Sequence, residues 1–363
     1  NINEIVLCEP KDNAGFLGYI IAEHKDPKKL KHILMDLCES VVKSLKIVPL
    51  QEKKSDFSLI KQLREDADKE QVKVFDCTYI QPFIETWWNQ LKYKDNYGKN
   101  KEQLKSVLLE NFTRGELHQL NKVGVTGYHI SAIFMIGLFT VDDPDLAYIV
   151  HEALSDLAQI RDIRYPYEDH KKIFIKPEGV QKKEWGNGAG AISPHCDDLY
   201  EEEDTDLLSL TTCRDTLKGS TLLFMAKQIF SILSDTEMDR LTKMIAIFIS
   251  GINVNGTVKE KKRPVLSYKN SNFFMALDYR VDESTGARMR IKDESDLALL
   301  EKIKMHLTPD KAMKPKSEVG NFVILSNSKV LHAREALQAV TGLCSLDLDT
   351  TPRLLFRSKG PRY

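Results

Sequence analysis

Two kinds of hydrophobic spacing divide the chain. Over residues 26–46 the apolar positions Leu30, Ile33, Leu34, Leu37, Val41, Val42 and Leu45 recur every three or four residues, which predicts an amphipathic helix. Further helices are predicted near 59–67 and 102–120, joined by polar runs that read as exposed connections. Beyond residue 125 the texture changes to short apolar runs bounded by Gly, Pro, Asn and Asp. Runs at 173–176, 207–212, 221–225, 245–249, 264–268, 273–277 and 321–325 predict strands, and Asn255-Gly256 predicts a hairpin turn. Helical patterns interrupt them at 143–162, 226–246 and 294–306.

Many short strands with inserted helices predict an all-β sandwich or barrel wrapped by helices. The strict strand–helix alternation of a doubly wound parallel sheet is missing. So are a G-x-G-x-x-G turn after a strand and a phosphate-binding G-x-x-x-x-G-K-[ST] loop, which removes the usual signatures of nucleotide chemistry.

Composition narrows the partner. At 363 residues the chain can bury a sizeable core, and 52 Lys+Arg balance 53 Asp+Glu. No global field is expected to hold it on nucleic acid or on a membrane surface, so a small molecule is the expected partner. Six scattered cysteines without a C-x-x-C pair suit free thiols. With no long apolar span and no signal-peptide pattern at Asn1-Ile-Asn-Glu, the expected location is the cytoplasm.

The candidate chemistry sits in Ile192-Ser-Pro-His195-Cys196-Asp197, after a glycine-rich approach at 186–190. Positions two apart on an extended chain point the same way, so His195 and Asp197 can share one metal ion. Cys196 between them is expected to face the opposite side as a small core residue. A third ligand is expected from His332, delivered by a strand, a turn at Asn327-Ser and a second strand. Two histidines and one carboxylate on one face of an ion leave positions open, as in non-haem Fe(II) oxygenases. A metal-dependent hydrolase could use the same three groups.

These blocks, in order, resemble the clavaminate synthase-like and taurine dioxygenase-like Fe(II)/2-oxoglutarate-dependent oxygenases. The resemblance spans residues 125–363. An early strand at 127–144 is similar to the family's, with Ile136 where an arginine is usual. The H-x-D at His195 follows, and then Leu208 to Thr221 resembles the strand and loop ending in a threonine that contacts 2-oxoglutarate. Gly320 to Arg334 resembles the family's block around the second histidine, with Asn321 and Ser326 in place of its aspartates. Arg353-Leu-Leu-Phe-Arg357 is similar to the closing R-x-L-x-R strand. Arg353 lies farther from His332 than in clavaminate-type relatives, which implies an insertion within 338–350.

The resemblance implies a mainly β fold with α, a distorted double-stranded β-helix (jelly-roll) core surrounded by helices. Residues 125–363 would form that core, and 1–124 a largely helical N-terminal region packed on it. It implies Fe(II) on His195, Asp197 and His332, 2-oxoglutarate held by Thr221 and Arg353, and O2 as co-substrate. A guanidinium suits that second role because it binds a carboxylate through two parallel hydrogen bonds and keeps its charge. Arg334 is the rival clamp, with a structural role preferred for it. Arg357 and Asp278 are implied substrate contacts, and Trp185 either covers the pocket or packs. The implied reaction is hydroxylation of an unactivated C–H bond in a free amino acid or related small carboxylate. Carrier-bound, peptide and sulfonate substrates, or an inactive metal-binding module, are the alternatives.

Overall fold

The computed structural model describes residues 57–162, 174–177, 186–251, 257–337 and 347–363. The helix predicted at 26–46, the turn at 255–256, Trp185 and most of the 338–350 insertion lie outside these residues. Two β-sheets lie face to face between layers of helix. The larger sheet has six strands in the order Gln71–Asp76, Ile130–Ile136, Phe322–Ser326, Leu207–Asp215, Arg353–Gly360, Phe174–Ile175. A smaller sheet orders Ile192–His195, Val330–Arg334 and Thr221–Met225, all antiparallel.

Period-two alternation builds the layers. In the larger sheet Ile133, Met135, Leu207, Cys213, Phe322, Leu354 and Phe356 point outward, into a core shared with the helices Gln81–Gln90, Tyr97–Asn111 and Pro144–Leu157. Their neighbours Ala132, Phe134, Leu208 and Leu325 point inward, against Leu223, Met225 and Val330 of the smaller sheet. The far face of the smaller sheet carries Leu222, Phe224, Leu331 and Ala333 into a third core with the helices Phe57–Lys69, Asp235–Lys243 and Glu294–His306. Cys196 is fully buried in that third core, as its alternation predicts.

Helix and strand contents are comparable among the described residues, so the expected predominance of β gives way to an even mixture. Two predicted helices are each split by a cap. Thr113 and Glu116 form a reciprocal capping box that ends one helix at Asn111 and starts Arg114–Leu120. Ser234 and Glu237 do the same between Ala226–Phe230 and Asp235–Lys243. The strand Gln71–Asp76 escaped the sequence reading. It adds parallel to Ile130–Ile136 at the sheet edge, and three helices make the crossover.

Candidate metal centre

Three side chains converge where the small sheet meets the loop that follows its edge strand. His332 stands directly opposite His195 across the antiparallel pair, so both imidazoles rise from one face with ring centroids 4.0 Å apart. Asp197, two residues past His195, lies 3.4 Å from His195 Nε2 through Oδ1 and 3.7 Å from His332 Nε2 through Oδ2. All three are buried, and one ligand atom from each falls within 4.8 Å of the others.

Neighbouring groups fix this geometry. His195 Nδ1 donates to Ser193 O at 2.8 Å, which fixes the ring with Nε2 turned toward Asp197. Asn327 holds the aspartate loop through its main chain: Asp197 N donates to Oδ1 at 2.8 Å, while Nδ2 donates to Asp197 O at 3.0 Å and to Thr205 O at 2.9 Å. Burial favours a protonated Asp197, but its polar surroundings, the Lys359 charge foremost, outweigh it and hold the pKa well below the usual carboxylate range. Burial, reinforced by His195, pushes His332 well below its usual pKa and keeps it neutral. An ionised carboxylate and a neutral imidazole are the forms that ligate metal, so the donor set fits a divalent ion with an open side.

The triad lines an open cleft between the two sheets. Thr221 enters it from the start of its strand, opposite Arg334 in the ladder. Arg353, Leu355 and Arg357, alternate residues of the last strand, bring two guanidinium groups into the same cleft. Arg353 is almost fully buried and its Nε donates to Asp215 at 3.2 Å. Lys359 continues the stripe and pairs with buried Asp198 at 2.8 Å. Arg334 also borders the cleft but donates to the carbonyls of Gly186, Gly188 and Gly190, fastening the glycine-rich approach. Six predicted site residues therefore meet here: His195, Asp197, His332, Thr221, Arg353 and Arg357.

Asp278 corrects the expectation. It does not line the cleft, because its carboxylate is turned onto Arg280, receiving Nε at 2.9 Å and Nη2 at 2.7 Å. Arg280 lines the cleft instead and reaches Asp197 Oδ1 at 3.5 Å. The sequence reading missed Arg280, Asn327 and Asp215. For Arg280 a signal was present, since Asp278 and Arg280 are two apart on an extended run and so share a face.

Among solved structures, asparagine oxygenase in complex with Fe(II), 2S,3S-3-hydroxyasparagine and succinate aligns with a TM-score of 0.61 at 13% identity, covering 80% of this chain and 93% of that one. The non-heme iron oxygenase OrfP in complex with Fe and alpha-ketoglutaric acid aligns at 0.57 and 15%, covering 80% and 94%. The likeness is one of fold. No family model and no curated protein sequence matches the chain.

Proposed function

We propose that the protein is an Fe(II)/2-oxoglutarate-dependent oxygenase that hydroxylates a free amino acid or a closely related small carboxylate, on a core of the distorted double-stranded β-helix kind. The observation that carries this reading is one cleft holding a buried His195–Asp197–His332 set together with Thr221, Arg353 and Arg357. A metal hydrolase has no need of two arginines opposite its ion. The fold likeness to oxygenases solved with iron and with amino-acid products supports the same choice.

In this reading His195, Asp197 and His332 hold Fe(II), which when bound supplies the activation of O2. Arg353 and Thr221 grip the distal carboxylate of 2-oxoglutarate, and Asp215 keeps the Arg353 guanidinium oriented from behind. Arg357 receives the α-carboxylate of the substrate. Leu208, Leu210 and Leu355 line the cleft with apolar surface and exclude water from the reacting carbon. The overall reaction balances as substrate C–H plus O2 plus 2-oxoglutarate giving substrate C–OH plus succinate plus CO2.

Anaerobic titration tests the assignment. Fe(II) and 2-oxoglutarate added together should produce a visible charge-transfer absorption that neither gives alone. No absorption, with both ligands shown to be present, would sink the oxygenase reading.

A further inference from the structure

The described walls of the cleft carry four arginines against one carboxylate. We infer that Arg280 receives an anionic terminus of the substrate, so that the site takes an acidic amino acid or related dicarboxylate in preference to its amide or a cationic counterpart. This inference rests on the oxygenase reading above.

Arg280 is placed by main-chain bonds beside the metal ligands. Cys196 N donates to Leu277 O at 2.8 Å and Tyr279 N to Pro194 O at 3.1 Å, so the 277–280 segment runs antiparallel to the His195 strand. Asp278 then occupies the Nε–Nη2 edge of the guanidinium through two bonds. That leaves the Nη1–Nη2 edge, whose paired N–H groups match a carboxylate. Nη1 approaches Asp197 at 3.5 Å, long for a hydrogen bond, and a tenth of the side chain stays exposed where it lines the cleft. Burial opposes its charge, yet Asp278 and Asp197 hold it protonated.

The remaining lining agrees. Among the described residues the cleft presents Arg280, Arg334, Arg353 and Arg357, and its single carboxylate is the metal ligand Asp197. With Asp278 turned away onto Arg280, no described acid is left to meet a cationic side chain. A substrate with two carboxylates would take Arg357 at one end and Arg280 at the other, which sets the intervening carbons beside the metal ligands. An amide would lose the charge-assisted pair, and a cation would face like charge.

Ligand-observed NMR can test this on full-length protein loaded with Zn(II) and 2-oxoglutarate, which binds without turnover. The probes are L-aspartate against L-asparagine, L-glutamate against L-glutamine, and L-arginine. At least one acid should bind tenfold or more tightly than its amide, with L-arginine weakest. In Arg280→Met this preference should shrink to within threefold. Arg280→Lys, which keeps the charge but not the paired edge and leaves Asp278 a partner, should retain part of it and serves if the Met variant does not fold. The inference is overturned if amides match acids in wild type, if L-arginine binds best, or if no acid binds while 2-oxoglutarate does. It is also overturned if both variants keep the preference, which would make Arg280 a support for Asp197 only. Failure of 2-oxoglutarate itself to bind would remove the oxygenase reading, a distinct result.

Discussion

The two ends of the cleft are built on opposite principles. At the metal end, main-chain hydrogen bonds set the positions of His195 and Asp197: Ser193 O on His195, and Asn327 on Asp197 N, Asp197 O and Thr205 O. At the arginine end they are set by buried charge. Arg353 pairs with Asp215, whose Oδ2 also receives Ser317 Oγ at 2.8 Å, and Lys359 pairs with Asp198. Hydrogen bonds fix direction, which a ligand set needs, whereas fixed charge supplies the field that a dianionic co-substrate needs. The two designs fail differently, because half of a buried ion pair leaves an uncompensated charge and a lost amide leaves only unpaired polar groups.

Arg353→Met should produce the largest change. It strands Asp215, whose side chain is fully buried, so unfolding free energy should fall by about 3–5 kcal/mol. Affinity for 2-oxoglutarate should fall roughly 100-fold, the scale of losing a buried charged hydrogen-bond partner. Denaturant unfolding and calorimetric titration measure the two separately. If affinity drops with stability intact, the Asp215 charge does not depend on Arg353 and the contrast between the ends breaks.

Asn327→Ala probes the other end at smaller cost. It leaves the Asp197 amide and two carbonyls unpaired in buried surroundings, a loss of about 1–3 kcal/mol. Its characteristic effect should be on the metal: Fe(II) affinity falls roughly 10- to 100-fold, as for other groups that orient ligands. The comparison is broken if Arg353→Met weakens metal binding more than Asn327→Ala does.

The His195–Asp197–His332 group was legible because its spacing is local chemistry: His195 and Asp197 sit two apart at a strand end, and His332 follows a strand and turn that the hydrophobic pattern marks. Most strands after 200 were legible for the same reason, as at Thr221–Met225 and Ile245–Ile249. What escaped depends on partners distant in sequence. Gln71–Asp76 is a strand because Ile130–Ile136 lies beside it, and its own Val-Lys-Val alternation is too short to stand alone. Asn327 reads as a turn residue until the loop 130 positions earlier is folded against it. Asp278 was misplaced because sequence shows a carboxylate but not the direction it faces, which Arg280 decides.

His151 gives the smallest and most specific test, directed at the backing of the arginine end. It lies on the Pro144–Leu157 helix, fully buried, with Nδ1 2.8 Å from Thr211 Oγ1 and Nε2 3.0 Å from Ser358 Oγ. Both hydroxyls sit on the reverse faces of strands that line the cleft. Burial pushes its pKa down to about 3. The unfolded chain takes up this proton near the ordinary value of about 6.5 and the folded protein does not, so stability is complete above that value and declines as pH falls toward 3. Between pH 7.5 and 5.5 this one group should remove about 1 kcal/mol. His151→Gln cannot titrate, so its stability deficit relative to wild type should narrow by that amount at pH 5.5 in urea unfolding. Parallel pH profiles for the two proteins would show that His151 takes up its proton in the fold as readily as in the unfolded chain, and that burial does not hold it neutral.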